Sequence, residues 1–288
     1  MKTVNSLSGG KTSSYIAANY PADYNVFSLV RTTDKNCMFP DKKIRQEVSD
    51  RIGKEFIGTL EMNTIIYTML DLEQYIGKKI HWISGETFDD VIKRGDKVYL
   101  PNKTQRFCTI EMKIMPIFYW WAETLNKEVC KMRIGYRANE QRRAKSLLER
   151  CKDDGVQYQK GTFSKNKNGT NHWETIPYRV PEFPLIKDNI YKDTIEEFWK
   201  DKKVRFAYAN NCVGCFHRNP VFLKHMSSKA EKQYDWFVQQ ELNAYDSNKA
   251  RWKTGMTYNE IKNSLKQMQM FDDDFEAGDG CDSGYCGL

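Results

Sequence analysis

The stretch Ser6-Leu7-Ser8-Gly9-Gly10-Lys11-Thr12-Ser13 constrains this chain more than any other. Residues 2–7 before it predict a first strand, and residues 14–20 after it predict the opening turns of a helix. A strand, a Gly-rich turn and a helix N-terminus together make an anion site. The first amides of a helix lack intrahelical partners, and the helix dipole favours negative charge beside them. Gly9 and Gly10 permit a tight turn with close backbone approach. Ser8, Thr12 and Ser13 add hydroxyls, and Lys11 adds a point charge suited to phosphate. The stretch is not a Walker A loop, because the Gly which that motif needs six residues before its Lys is Asn5 here.

The chain beyond the loop alternates. Residues 25–30 are rich in β-formers and read as a second strand ending at Arg31-Thr32-Thr33-Asp34. Residues 41–52, with Ile44, Val48 and Ile52 spaced by four, read as a helix. Residues 56–58 read as a short strand, 64–75 as a helix, and 80–84 and 130–134 as strands. Strands alternating with helices predict an α/β fold with a parallel, doubly wound sheet, which binds ligands at the carboxyl ends of its strands. One such end runs into Gly135-Tyr136-Arg137 and then Arg142-Arg143, cations placed for a nucleotide phosphate or another anion. Thr109 reads as the cap of a helix through Phe118, Trp121 and Leu125, which puts Cys108 just before a helix N-terminus, where a thiolate is favoured, although a lone Cys is more often a buried small hydrophobe. Residues 152–171 are polar and read as a loop or insertion. Pro177, Pro181 and Pro184 read as punctuation, and residues 193–200 as a short helix. Helical patterns around Tyr234 to Leu242 and over 258–268 precede an acidic stretch, 271–276.

Composition bounds the function classes. The 288 residues, 40% of them hydrophobic, suit one large domain or a domain with an appendage. The mean hydropathy of −0.72 and the lack of a long apolar run exclude a membrane-spanning helix from the reading. Met1-Lys2-Thr3-Val4-Asn5 has no signal-peptide core, so a cytoplasmic location is expected. A net charge of +7 is compatible with phosphate ligands or nucleic acid. In such a chain, eight cysteines point to metal or redox chemistry before disulfides. The C-x-x-C turn of Cys212 and Cys215 brings two sulfurs within reach of one metal, and Cys281 and Cys286 supply two more candidates. Four thiolates suit structural zinc or an iron–sulfur cluster alike. His217 falls one residue too late for a haem-attachment motif, and Cys130 and Cys151 read as fillers.

Taken in order, residues 8–13, Arg106-Phe107-Cys108-Thr109 with Lys113, Gly135-Tyr136-Arg137 with Glu140, Arg142 and Arg143, and Cys212-x-x-Cys215 resemble the phosphoadenosine phosphosulfate (PAPS) reductase family. The likeness includes its relatives in DNA phosphorothioation and in phage genomes, and the loop is similar to the pyrophosphate (PP) loop of the adenine nucleotide alpha-hydrolase superfamily, with Thr12 at the usual Asp position. The resemblance implies a Rossmann-like sheet over residues 1–205 that binds ATP or a related adenine nucleotide, with Mg2+, followed by a helical Cys-rich part over 206–288. It implies that Ser8, Gly9, Gly10, Lys11, Thr12, Ser13 and Gly135 cradle phosphates while Arg137, Arg142 and Arg143 neutralise them. It favours a [4Fe–4S] cluster over zinc, held by four of Cys108, Cys212, Cys215, Cys281 and Cys286; Phe107 stands where the family has a further Cys. Adenylylation of an acceptor for sulfur transfer is the activity expected, with a sulfur donor or thioredoxin-like reductant and a nucleic-acid substrate as candidate partners and no membrane. Tyr285-Cys286-Gly287-Leu288 is similar to the Glu-Cys-Gly-Leu/Ile-His end of sulfonucleotide reductases, so a reductase with Cys286 as nucleophile is the alternative. A zinc-stapled, non-catalytic nucleic-acid-binding protein is the alternative of another class.

Overall fold

The computed structural model describes residues 1–246 and 250–264. Strand β1 (Thr3–Leu7) leads through the Gly turn into α1 (Lys11–Asn19) and back to β2 (Tyr24–Ser28). A 3-10 turn at Lys35–Cys37 precedes α2 (Lys42–Ile52), α3 (Thr64–Ile76) and β3 (Ile80–Ile83). Then come α4 (Phe88–Ile92) and a short ladder of β4 (Lys93–Arg94) with β5 (Lys97–Val98). Helix α5 (Phe107–Thr109), a π-helical turn at Ile110–Ile114 and α6 (Met115–Thr124) form one helical run that returns to β6 (Cys130–Arg133). A 3-10 turn at Ala138–Glu140 opens α7 (Gln141–Leu148), followed by β7 (Gln157–Lys165), β8 (Asn171–Glu182), α8 (Pro184–Lys187) and α9 (Lys192–Trp199). Helices α10 (Pro220–Lys229), α11 (Glu231–Leu242) and α12 (Tyr258–Asn263) follow.

Six strands form one sheet in the order β3-β2-β1-β6-β8-β7, parallel except for the β7–β8 pair. Side chains alternate across it as strand geometry requires. Leu7 and Phe27 pack with α1, α2, α3 and α9 on one face, while Val4 and Val26 pack with α6 residues Phe118 and Trp121 on the other. The fold is thus α/β, a mostly parallel sheet flanked by helices. Helix α2 starts where Asp41 accepts from the amides of Lys43 and Ile44, and it stops at left-handed Gly53. No helix among the described residues is long and apolar enough to cross a membrane.

Three sequence expectations need correction. The stretch 152–171 is not a loop: it holds β7 and the start of β8, an antiparallel hairpin turning at Gly169 (φ 81°). Pro177 and Pro181 lie inside β8 rather than ending it. Pro177 pairs only with β7 and Pro181 only with β6, so each missing N–H falls where the strand has one neighbour. Thr109 does not cap a helix. It lies within the first helical turn after Arg106, and Cys108 is inside that turn, buried, rather than ahead of it. The pattern over 258–268 is helical through Asn263 and stops at Ser264, whose backbone is extended, while residues 265–268 lie outside the described residues.

The last helices share one apolar cluster with Phe88, Val91 and Ile92 of α4, with Cys108 and with Met112. This packing sets the C-x-x-C turn against the carboxyl-end side of the sheet.

Candidate functional site

The chain leaves β1 for β2 on one side and later enters β6 on the other, so strand order reverses at β1. The loops after β1 and β6 therefore flank the crevice where open α/β sheets take ligands. In the first loop Gly9 adopts φ 78°, and a Cβ there would stand 2.6 Å from Ile65 Cγ2. Only glycine fits. The Ser8 amide donates to Ser13 Oγ (3.1 Å), which donates to the Gly10 carbonyl (3.1 Å). Ser8 and Ser13 thus hold the turn's shape. The N-cap of α1 is Gly10, and no side chain caps the helix, so its first amides keep their unmet hydrogen-bonding capacity at the crevice. From the second loop, a Cβ on Gly135 would lie 3.4 Å from Thr12 Cγ2 and 3.7 Å from the Ser13 nitrogen. The two sequence motifs, 122 residues apart from Ser13 to Gly135, are neighbours.

The cations around this crevice are not equally placed. Lys11 pairs with Glu196 of α9, both about two-fifths exposed (37% and 43%). Arg137 Nε meets Glu140 Oε2 at 3.1 Å, and Arg143 pairs with the other oxygen of the same carboxylate. Glu140 also accepts from the Arg137 amide at 2.9 Å. Arg142 sits exposed on the first turn of α7.

A second centre lies across the ends of β2 and β3. Ser28 Oγ donates to the Met112 carbonyl (2.8 Å), and Gly85 is so close to the π turn that a Cβ would meet Glu111 O at 2.6 Å. Arg31 ties the loops beneath it, donating to Ser84 Oγ, Glu55 O and Gly85 O at 2.7–3.0 Å. A π turn inside a helix is a frequent mark of a functional site. Here Lys113 within it and Cys108 in the turn before it face a cavity of about 40 Å3 whose wall also carries Cys212, Cys215, Asn211 and His217. The Val213 amide donates to Leu60 O (2.8 Å), fixing the C-x-x-C turn beside Glu61. Glu61, 1% exposed, takes 2.9 Å contact from Lys113 Nζ, and its Oε2 has no hydrogen-bond partner among the described residues.

Burial pushes the Cys212 thiol well above its ordinary value, and the Glu61 carboxylate adds to the effect while Lys113 opposes it. Burial also lowers His217 to about 4, helped by Arg106, Lys103, Lys253 and Arg218. Its imidazole is neutral near pH 7, and the buried Nε2 has no hydrogen-bond partner among the described residues. The Asn211 amide nitrogen is in the same position. Such orphaned polar atoms around thiols suit a site built for something more than apolar packing. Among the described residues, no three His, Cys, Asp or Glu side chains are grouped closely enough to hold a metal ion. Cys108, Cys212 and Cys215 share one cavity without converging on a point, and Cys281 and Cys286 lie outside the described residues. Cys130 is buried at the base of β6, and burial pushes it to about 12.

Sequence reasoning brought out Cys108, Cys212 and Cys215 but not Glu61, Asn211 or the role of His217. The Glu61–Lys113 pair spans 52 residues and carries no local signal. Compared with protein-family models, with curated proteins and with solved structures, the chain gives no match.

Proposed function

We propose that this protein is a PP-loop enzyme of the PAPS reductase type, with a Rossmann-like adenine-nucleotide site, that activates an acceptor by adenylylation for sulfur transfer. The observation that carries the reading is the meeting of the Ser8–Ser13 loop with Gly135 where strand order reverses. In the reaction an acceptor oxygen forms a bond to the α-phosphorus of ATP, and the α–β phosphoanhydride bond breaks. Pyrophosphate leaves with the electron pair. The amides of α1's first turn and Lys11 would hold that leaving group, stabilising charge as it develops. Arg137 and Arg143 are oriented through Glu140, and Arg142 stands exposed for the remaining phosphate charge.

Lys11 must exchange Glu196 for phosphate. A pair this exposed is worth about 1 kcal/mol or less, so a polyphosphate outcompetes it. Calorimetry with ATP tests the site. Lys11→Ala is expected to weaken binding by about 1.5–3 kcal/mol. Glu196→Gln is expected to tighten it by no more than about 1 kcal/mol. Wild-type protein that binds neither ATP, AMP nor PAPS would sink the reading.

The donor chemistry at the second centre fits a thiolate-bound metal. Cys108, Cys212 and Cys215 would hold a [4Fe–4S] cluster together with Cys281 or Cys286. A cluster held by those thiols would supply a sulfur- or electron-carrying centre. One observation favours zinc as a second reading: the gap of about 40 Å3 matches one water-sized species rather than a cubane. Anaerobic purification with iron, zinc and acid-labile sulfide analysis decides between them. Iron and sulfide in equal amounts, both lost in Cys212→Ser, are the expected result. Stoichiometric zinc would install the second reading, and protein with neither metal would remove both.

A further inference from the structure

The β7–β8 hairpin takes no part in either centre. Strand β8 pairs with β6 through 179–182, so its earlier rungs with β7 lie beyond the amino end of β6, opposite the end that carries the nucleotide crevice. Cross-strand partners share a face of the hairpin, and the faces alternate along each strand. One face packs on α6. A Cβ on Gly161 would stand 2.4 Å from Phe118, the Phe163 ring lies 5.7 Å from those of Phe118 and Tyr119, and Ile176 joins the same cluster. Glu174, the one carboxylate between residues 157 and 177, belongs to this inner face, where Lys127 meets it at 3.4 Å.

The outer face has another character. Its rungs are Tyr158–Pro177, Lys160–Thr175, Thr162–Trp173 and Lys165–Asn171, without an acid among them. Lys165 belongs to this face because of a bulge. The register shifts between Thr162 and Ser164, and without that shift alternation from Thr162 would turn Lys165 inward. The face therefore runs aromatic, lysine, aromatic, lysine in steps of about 7 Å, with Lys167 in the turn beyond. Trp173 is 51% exposed, whereas Trp82, Trp121, Trp199, Trp236 and Trp252 are all buried. Lys160, Lys165 and Lys167 are exposed as well. Lys160 Nζ stands 5.6 Å from the centre of the Trp173 ring, and Lys152 Nζ stands 3.6 Å from that of Tyr158. Such contacts are weak at a solvated surface, so a better partner for the ring displaces the ammonium to its edge.

We propose that this outer face is a binding strip for single-stranded nucleic acid, with Tyr158 and Trp173 stacking on unpaired bases and Lys160, Lys165 and Lys167 meeting the phosphates. Charge complementarity selects a polyanion, and the alternation of ring and cation selects this one. Every unpaired base offers a π-face, and single strands are held without regard to sequence by aromatic platforms set among cations. A duplex hides those faces. An acidic peptide offers the charge without the bases. The strip stands at the far end of the sheet from the nucleotide crevice, and the proposal uses nothing of the nucleotide or thiol readings.

Fluorescence anisotropy of labelled oligo(dT) and oligo(U) with the full chain tests this. Binding of either upholds the strip, and the ratio of the two affinities says whether DNA or RNA is its source. Trp173→Ala is expected to weaken binding by about 5- to 150-fold, the loss of one stacked base, and Trp173→Phe to recover most of it. Lys160→Ala and Lys165→Ala should each reduce the slope of log affinity against log salt by about 0.7. Ser164→Lys combined with Lys165→Ser keeps the net charge but moves the ammonium to the other face. That pair should weaken binding as much as Lys165→Ala does. Lys42→Ala and Lys43→Ala, exposed on α2, should leave affinity unchanged. Circular dichroism confirms the fold of each variant. Trp173→Ala within about twofold of the parent, the charge-conserving pair at parental affinity, equal affinity for the oligo(dA)–oligo(dT) duplex, or no binding of either oligonucleotide would each overturn the proposal.

Discussion

Lys113→Met is expected to destabilise the protein by about 3–5 kcal/mol, the largest effect of any single change argued for this chain. The Glu61 side chain is 1% exposed and that of Lys113 16%, so the variant leaves a carboxylate buried with its cation gone. The second oxygen of Glu61 already has no hydrogen-bond partner among the described residues, so none of them takes up the loss. The pair also joins two elements that carry thiols: Lys113 comes from the π turn after Cys108, and Glu61 bridges to Cys212. Denaturant unfolding of the single variant and of the double variant Glu61→Met, Lys113→Met distinguishes charge from packing. The double variant should recover most of the loss, since an apolar pair of similar volume is often neutral in place of a buried ion pair. A single variant within about 0.5 kcal/mol of the parent would show that water reaches Glu61 and that the pair is not structural.

What the sequence made legible follows from how local each signal is. The β1 strand, the Gly turn and α1 are read from adjacent residues, and so is α2 from Ile44, Val48 and Ile52 spaced by four. Strand order is not local. That Gly135 lies against Thr12 depends on β6 pairing with β1 rather than with β3, which no window of sequence contains. The same limit hid the β7–β8 hairpin. Two prolines in a run normally argue against a strand, and only the one-sided pairing of Pro177 and Pro181 makes β8 tolerable. At Thr109 a cap residue before an apolar helical pattern was a sound expectation. The π turn, which shifts the helix register over Ile110–Ile114, moves the start of the helix back to Phe107. The C-x-x-C spacing announced two sulfurs, but their nearness to Cys108, Lys113 and a neutral His217 comes from the cluster of α4, α10, α11 and α12 that presses the turn against the sheet end.

That pressure yields the second large effect. Gly214 separates Cys212 from Cys215, and a Cβ on it would stand 2.4, 2.6 and 2.8 Å from three carbons of the Phe237 ring. The ring cannot withdraw. It is 1% exposed and packs edge-on to Trp236 and Trp252 with centroids 5.0 and 5.1 Å away. The Gly214 carbonyl also accepts from buried Tyr258, so a displaced turn breaks that hydrogen bond as well. Gly214→Ala is therefore expected to cost about 3 kcal/mol through overpacking alone. For a chain of this size that lowers the melting temperature by roughly 5–10 °C. Adding Phe237→Leu should restore part of the loss, because the smaller side chain makes room where the methyl points. The two substitutions would then be less harmful together than the sum of each alone, a coupling that contacting residues show and distant ones do not. Thermal unfolding of the two single variants and the double variant measures it. Additive losses would mean that the methyl is accommodated by backbone movement instead. In that event the C-x-x-C turn is pliant, and the rigid presentation of Cys212 and Cys215 to the cavity fails with it.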